Sequence, residues 1–401
     1  MPTVTFLWDD AARSSQRARL CAGNENQMKF SAERTTLLKA LAHIQSVAEK
    51  RNTIPILANV LIQAAQGQLS LKATDMEIEV VEHVPASVSR EGATTAPAAV
   101  LYEIVRKLPD GVAVELDQNG EDGQLNLRAG RYATRLNVLG VDDFPSMGAG
   151  DFPHSFNLAS ATLRGLIDRT RFAISTEETR YYLNGIYLHA TDVEGEALLR
   201  AVATDGHRLA RVQAPLPAGA SGIPGVIIPR KTVSELRKLL DEAPEEIAVA
   251  LSETRIQFTV GAVVLTSKLI DGTFPEYERV IPRNNNRVLR VGKKDFSDAV
   301  ARVAAISQER SRPVKLALEP GLLTLSASSA EQGMAKEELD DNRISYTAEA
   351  LEIGFQARYL NDVTDQVEKE VEFVFADSAS PTIVRDVDSP AALYVLMPMR
   401  V

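Results

Sequence analysis

The stretch TDGHRL, residues 204–209, has the spacing in this sequence that comes nearest to a catalytic pair. Asp205 and His207 are separated by one glycine, and a carboxylate close to an imidazole can act as a general acid and base. A tight turn is the alternative, because Asp and Gly are turn-forming residues and strand-like sequence lies on both sides. The triplet ATD also occurs at residues 73–75, where no histidine follows, and this recurrence favours the turn.

The other residues that could do chemistry form no known catalytic or metal-binding pattern. The five histidines are scattered without the spacing of metal ligands. The sequence has no phosphate-binding glycine loop, no dinucleotide fingerprint and no Gly-x-Ser-x-Gly nucleophile motif. We therefore predict a protein without catalytic residues, cofactor or metal. A hydrolase that uses Asp205 and His207 is the less favoured alternative.

The composition of the 401-residue chain is that of an ordinary globular protein, with a formal net charge of −10 and one cysteine, Cys21. A single cysteine excludes a disulfide framework and fits a reducing, cytoplasmic location. The longest apolar stretches are the size of strands, so no membrane-spanning segment is predicted. Residues 1–27 differ in character from the rest and are predicted to be an N-terminal extension outside the fold.

Three segments share one helical pattern, which predicts an internal repeat. Counted from Phe30, Phe156 and Leu289, apolar residues recur seven, eleven and seventeen positions later, a spacing typical of one helical face. A second helical pattern follows in each segment, and alternating strands lie between and after the helices. The sequence thus predicts an α+β fold of three similar domains, residues 28–153, 154–286 and 287–401, each with two helices packed on antiparallel sheets.

The charges are segregated along the chain, although their sum is negative. The predicted helical segments hold more Lys and Arg than Asp and Glu, and the rest of the chain is strongly acidic; the segments are 31–51, 97–109, 157–171, 229–240, 290–306 and 356–369. Because the other face of each helix must pack on a sheet, the basic side chains would project together. Such a layer favours a polyanion that is bound through its phosphates without reading of bases.

The C-terminal sequence ALYVLMPMRV, residues 392–401, is apolar almost to its end, whereas a free terminus is usually polar and frayed. This stretch predicts either a buried core strand or a surface that a partner covers. Flexible methionine side chains suit a groove that accepts different apolar anchors. Pro398 would prevent further strand pairing at this edge.

Five stretches resemble the bacterial DNA polymerase III beta subunit, the sliding-clamp family. They are RNTIPILANVLI (51–62), RYYLNGIYL (180–188), ATDGHRLA (203–210), FPEYERVIP (274–282) and YVLMPMRV (394–401), and the similarity extends from Met28 to Val401. The resemblance implies a head-to-tail homodimer whose clamp domains form a ring around duplex DNA, with the helices lining the hole. It also implies a non-enzymatic processivity factor in DNA replication. A specialised paralogue with restricted partners is the alternative within the family.

The resemblance further implies a hydrophobic cleft between the second and third domains. In the family this cleft binds short linear peptides of the DNA polymerase III catalytic subunit, the clamp loader, other polymerases and repair proteins. TDGHRL would then be a pocket loop, and the apolar C terminus would be one wall. The implied cleft residues are Leu183, Thr204, Gly206, His207, Arg208, Leu209, Pro275, Arg279, Val280, Val395, Leu396, Met397, Pro398, Met399 and Arg400.

DNA contacts and a dimer seam are implied in the same way, with some basic residues added by charge. The DNA-binding candidates are Arg51, Arg180, Tyr181, Tyr182, Arg230 and Lys231. The dimer candidates are Arg131, Arg135, Leu136, Ala305, Ile306 and Glu337. One position departs from the family: Glu177 is an acid where relatives often carry an uncharged polar residue, and an acid there should weaken a DNA contact.

Overall fold

The computed structural model describes residues 27–48, 53–119, 123–148, 150–307 and 312–400. The predicted extension, apart from Gln27, and the DNA-binding candidate Arg51 lie outside the described residues. Gln27 is the first residue of a strand, so the described fold includes one residue of the predicted extension. The chain forms two compact units, one with residues up to 152, 238–250 and 255–268, the other with 153–237, 251–254 and 269 onward.

The first unit contains two antiparallel sheets and two helices. Five strands are arranged as β5-β1-β7-β8-β9, and seven neighbouring strands as β15-β16-β17-β4-β3-β2-β6. The strands are β1 Gln27–Glu33, β2 Asn59–Ala65, β3 Gln68–Thr74, β4 Ile78–Pro85, β5 Ser87–Arg90, β6 Gly92–Pro97, β7 Ala113–Asn119, β8 Gln124–Ala129, β9 Tyr132–Asn137, β15 Glu246–Leu251, β16 Arg255–Val260 and β17 Val263–Lys268. The helices are α1 Arg34–Gln45 and α2 Ala98–Lys107.

The second unit contains a nine-stranded sheet, β14-β11-β12-β13-β26-β25-β24-β18-β22, and a four-stranded sheet, β21-β20-β19-β23. Its strands are β10 His154–Ala159, β11 Gly185–Val193, β12 Glu196–Thr204, β13 Arg208–Pro215, β14 Val226–Pro229, β18 Arg287–Gly292, β19 Pro313–Glu319, β20 Leu322–Ser329, β21 Gly333–Asp340, β22 Ile344–Tyr346, β23 Leu351–Gln356, β24 Glu370–Phe375, β25 Thr382–Asp386 and β26 Ser389–Leu396. The remaining helices are α3 Ser160–Asp168, α4 Arg230–Leu239, α5 Lys293–Ala304 and α6 Ala357–Thr364.

Each of these six α-helices begins at the residue after a strand, so one strand–helix unit recurs along the described chain. Helix α5 shows why the sequence folds this way. Its Phe296, Ala299, Val300 and Val303 are buried and lie three to four residues apart, which gives one apolar face. The Phe296 ring packs 5.0 Å from the ring of Phe373 on the adjacent sheet. The predicted α+β class, with helices packed on antiparallel sheets, is confirmed.

Three of the helical segments predicted from sequence begin too early. Residues 31–33, 157–159 and 290–292 lie in strands β1, β10 and β18, and the helices start directly after them. In β1 the buried and exposed residues alternate, and Ser31 pairs with Glu115 of β7. The apolar period of the strand runs into that of the helix, so periodicity alone places the boundary wrongly.

The apolar C terminus is an internal strand of the nine-stranded sheet. Strand β26 lies between β13 and β25, and its Tyr394, Val395 and Leu396 are buried. Burial raises the pKa of the Tyr394 hydroxyl, which has no hydrogen-bond partner among the described residues. An unpaired buried hydroxyl loses its hydration without a replacement, so this side chain contributes through its ring alone.

Removing the Tyr394 hydroxyl by Tyr394→Phe should leave the free energy of unfolding unchanged or raise it, because no protein hydrogen bond is lost. The matched change Tyr346→Phe removes a hydroxyl that donates to the Glu349 carbonyl at 2.6 Å, and should cost about 1 kcal/mol. Urea unfolding of both variants checks the difference. Equal losses in the two variants would contradict the assignment of an unpartnered hydroxyl.

Candidate functional site

The segment 204–208 is a hydrogen-bonded turn between β12 and β13. The Asp205 Oδ1 atom accepts the backbone N–H groups of His207 and Arg208 at 2.9 and 3.0 Å. The Thr204 hydroxyl donates to the Arg208 carbonyl at 2.7 Å, and Gly206 has a φ of +89°. Because the Asp205 carboxylate is bonded to the turn itself, it does not activate His207, and the hydrolase alternative is wrong.

The other ATD triplet forms the same turn between β3 and β4. The Thr74 hydroxyl donates to the Ile78 carbonyl at 2.8 Å. The Asp75 Oδ1 atom accepts the N–H groups of Glu77 and Ile78 at 2.8 and 2.7 Å. The recurrence of this motif without a histidine shows that Thr and Asp at these positions build a turn.

The Arg208 guanidinium is buried where three parts of the second unit meet. It bonds the Asp205 carboxylate at 3.1 Å, the Asp362 carboxylate on α6, and the Phe172 carbonyl at 2.5 Å. It also lies 5.1 Å from the ring centroid of Phe172 and 4.5 Å from that of Tyr359. A buried guanidinium needs such partners for its donors, so Arg208 fixes the turn against α6.

The C-terminal residues are held on both sides of the chain end. Strand β26 pairs antiparallel with β13, with Leu209 opposite Val395 and Arg208 opposite Leu396. After the strand ends, the Met397 N–H donates to the His207 carbonyl at 2.9 Å. The Met399 N–H donates to the Gly354 carbonyl at 2.9 Å, which ties the segment to β23. The backbone of residues 397–399 is thereby fixed beside the turn.

We use the name partner cleft for an apolar surface with a buried floor and an exposed rim in the second unit. Its floor includes three predicted residues, Leu183, Leu209 and Val395, packed with Val202, Ile227, Phe274 and Tyr277. Its rim includes Val280 and Met397, which are 50% and 41% exposed, together with exposed Pro275, His207 and Arg279. Pro398 and Met399 are half-buried, and Leu396 is buried. Exposed apolar residues that continue a buried cluster are typical of a binding surface.

Sequence reasoning missed Tyr359 of α6. Its ring stacks on the His207 ring at a centroid distance of 6.2 Å and lies over the Arg208 guanidinium. The buried residues of α6 include Leu360 and Val363, so Tyr359 is off the apolar stripe of its helix. An aromatic residue outside that stripe was the available signal, but sequence alone did not connect it to His207.

Three DNA-binding candidates line one open pocket. Tyr181, Arg230 and Lys231 surround a volume of about 530 Å³ together with Asn184, Pro229, Ser234 and Ile270. The Tyr181 ring meets the Tyr182 ring edge-on at 5.8 Å. The Arg230 N–H donates to the Asn184 carbonyl at 2.9 Å, which joins the first turn of α4 to the loop before β11.

The fourth described cation, Arg180, is held by an acid of its own chain. Its Nε and Nη2 atoms donate to the two carboxylate oxygens of Glu177 at 2.8 and 2.7 Å. The bond to Arg180 lowers the pKa of Glu177, so this carboxylate is ionised at neutral pH. A Cβ added at Gly206 would lie 2.5 Å from the Arg180 Nη1 atom, so the guanidinium lies against the turn of the partner cleft.

The dimer candidates lie at two sheet edges, one in each unit. Strand β9, with exposed Arg135 and buried Leu136, is an edge of the five-stranded sheet, and Arg131 precedes it. Strand β21, which contains Glu337, is an edge of the four-stranded sheet, and Ala305 and Ile306 follow α5. Glu337 is already paired within the chain, since Arg302 donates to its two oxygens at 2.8 and 2.6 Å. Tyr132 and Met334, which sequence reasoning missed, are the exposed apolar residues of these strands, at 42% and 73%.

Two further searches bear on the class of protein. Within the described ranges, no group of three or more His, Cys, Asp or Glu side chains could hold a metal ion. None of the helices in the described part of the chain has the length and apolar character that crossing a bilayer requires.

Three family models match the chain in succession. The N-terminal domain of the DNA polymerase III beta subunit matches residues 28–148, its central domain residues 157–276, and its C-terminal domain residues 278–400. The beta sliding clamp of Caulobacter vibrioides is 52% identical over 375 residues, and that of Escherichia coli K12 is 40% identical over 377. Both alignments cover 93% of this chain and the whole of the relative.

Solved structures give the same answer. A Caulobacter crescentus beta sliding clamp superposes with a TM-score of 0.92 at 51% identity, covering 94% of this chain and all of the other. A Bartonella birtlesii sliding clamp, solved with griselimycin bound, superposes with a TM-score of 0.90 at 47% identity and the same coverage. Sequence and fold agree along the described chain: it belongs to the DNA polymerase III beta subunit family, the sliding clamps, which are non-catalytic processivity factors of the replicative polymerase.

Proposed function

We propose that this chain is a replicative clamp of the cytoplasm that encircles duplex DNA as a head-to-tail homodimer. It tethers the DNA polymerase III catalytic subunit and recruits the clamp loader, other polymerases and repair proteins through short peptides. The observation that carries the proposal is the partner cleft, where exposed Val280 and Met397 continue a buried apolar floor. We keep the domain boundaries 28–153, 154–286 and 287–401, which the three successive family matches support.

The partner cleft suits an extended peptide with apolar anchors. Its floor contains no charged side chain, so anchors such as Leu and Phe lose water there without leaving a buried charge unpaired. Met397 and Met399 at its edge have flexible thioether side chains that adapt to anchors of different shape. Exposed His207 and Tyr359, stacked on each other, offer a polar and aromatic boundary for a side chain such as Gln.

The pocket beside α4 suits a DNA phosphate. Arg230 and Lys231 lie in the first turn of a ten-residue helix, where the helix dipole and two cations favour an anion. Tyr181, 54% exposed, supplies a hydroxyl and a ring at the pocket mouth. Contacts of this kind position a duplex without selecting its sequence, as a sliding ring requires. Glu177 weakens the same surface because it occupies the Arg180 guanidinium.

The dimer seam joins β9 of one protomer to β21 of the next. Both are edge strands with unpaired backbone groups on one side, and such edges pair readily with another strand. Tyr132 and Met334 are the apolar contacts we assign to this seam, with Arg131 and Arg135 facing the acidic residues of β21. The contact is heterologous, and two copies close it into a ring.

Deleting residues 397–401 should abolish binding of a labelled Gln-Leu-Ser-Leu-Phe peptide, because one rim of the partner cleft is lost. Strand β26 ends at Leu396, so its pairing with β13 and β25 is retained and the fold should survive. Fluorescence anisotropy measures the affinity, and circular dichroism checks the fold. His207→Ala should weaken binding in the same assay. Unchanged affinity in the truncated chain would remove the cleft assignment.

Replacing Glu177 by Gln should strengthen binding to a short labelled duplex several-fold at low salt, because Arg180 is freed for a phosphate. The slope of log K against log salt should steepen by about one. Glu178→Gln is the matched control: it is an exposed neighbour with the same charge change, outside the Arg180 pair. Equal effects of the two variants would show a response to net charge alone.

Met334→Glu should raise the dimer dissociation constant at least about tenfold, because a charge replaces the most exposed apolar residue of β21. Val193→Glu introduces the same charge at an exposed apolar position on β11 and serves as the control. Sedimentation velocity over a concentration series measures both. A dimer that is equally stable in all three proteins would place the seam elsewhere.

A further inference from the structure

A cluster of charged residues continues the partner cleft along its own sheet. On β13, Arg211 and Gln213 follow Leu209 at every second residue, so they lie on the sheet face that carries the cleft floor. Arg211 is opposite the floor residue Val202, and Arg200 is opposite Gln213 on the neighbouring strand. The apolar floor therefore changes into a row of two arginines within a few residues.

Both arginines share one carboxylate oxygen. The Arg200 Nη1 atom lies 2.5 Å from Glu278 Oε1, and the Arg211 Nη1 atom lies 3.5 Å from the same atom. Arg200 makes further bonds: its Nε donates to Gln213 Oε1 at 3.1 Å, and its Nη1 is 3.3 Å from the Tyr277 hydroxyl. Among the described residues, no other carboxylate lies within ion-pair distance of either guanidinium.

The cluster has one positive charge more than its acid can balance. His189 Nε2 lies 2.9 Å from the Tyr277 hydroxyl, and burial lowers the pKa of His189, so the imidazole adds no charge at neutral pH. The buried Nε of Arg211 has no hydrogen-bond partner within the described chain. Burial and the nearby Arg200 also lower the pKa of Arg211, which shows that its charge is poorly compensated.

Glu278 is placed where a ligand can compete with it. It lies between Tyr277 and Arg279 in the short helix of the rim segment, and its side chain is 47% exposed. The side chain of Arg211 is 17% exposed, so it is open to solvent at one edge. An incoming carboxylate could bind the free Nε of Arg211 while Glu278 keeps its short contact with Arg200.

We propose that Arg211, with Arg200 behind it, forms an anion subsite at the end of the partner cleft that binds an Asp or Glu side chain flanking the apolar anchors of a partner peptide. The proposal rests on the peptide-binding function above. A charge-assisted bond to a guanidinium is stronger than one between neutral groups, so the subsite would rank partners by the acid beside their anchors. It adds a polar preference to a cleft whose floor recognises only apolar shape.

The test compares labelled peptides in which Gln-Leu-Ser-Leu-Phe has two flanking residues at each end. Glu is placed at each flanking position in turn, and the matching Gln peptide is its control. We expect one position at which Glu binds about fivefold more tightly than Gln at low salt. Arg211→Gln should abolish that ratio while the parent peptide keeps its affinity. Glu278→Gln should increase the ratio, because both arginines then lack their carboxylate.

Arg279→Gln is the matched control for loss of a cation, since Arg279 is exposed on the same rim and pairs with Glu276. It should leave the ratio of Glu to Gln affinities unchanged. A ratio near one at every flanking position, or a ratio that Arg279→Gln abolishes and Arg211→Gln does not, would overturn the subsite. If the parent peptide does not bind the intact chain, the cleft itself fails, and that result is distinct from failure of the subsite.

Discussion

The partner surface depends on the burial of one charge, the guanidinium of Arg208. A buried cation is tolerated only when its donors are used, and here they bond Asp205 of the turn, Asp362 of α6 and the Phe172 carbonyl. These groups come from distant parts of the chain, so the guanidinium fixes elements that have no other reason to keep one spacing. The flat face of Arg208 then supports Tyr359, which in turn stacks on His207. The exposed residues of the cleft owe their positions to a side chain that a partner scarcely touches.

Local chemistry was predictable from the sequence, whereas long-range contact was not. The periodic residues Leu37, Leu163 and Phe296 are buried in their helices as predicted, because the helical period is written in neighbouring residues. The α+β class and the turn at 204–208 follow from equally local signals. The contact of Tyr359 with His207 depends on two segments about 150 residues apart, which no pattern in one sequence joins. The cleft residues were named only through resemblance to a family.

Formal charge overstates what the helices offer to DNA. The excess of Lys and Arg in the predicted helical segments is real, but part of it is paired within the chain. Arg302 binds Glu337, Arg237 binds Asp168, and Lys294 binds Asp298 at 2.5 Å on its own helix. Exposed pairs of this kind contribute little to stability, yet they reduce the field that a phosphate meets. A ring that must move along DNA is compatible with such weak attraction, because topology and not affinity would keep it there.

The two copies of the Thr-Asp turn show how a structural motif acquires a second use. Each copy closes a hairpin with the same hydrogen bonds, and the difference lies in the residue that follows the turn: Ile78 in one, Arg208 in the other. Met76 adopts a positive φ in the first copy, so that backbone shape alone does not demand glycine. Gly206 is required in the second because a side chain would collide with Arg180. Divergence after duplication has thus separated the residues that fold a hairpin from those added later for recognition, and a single chain preserves the ancestral and the derived form together.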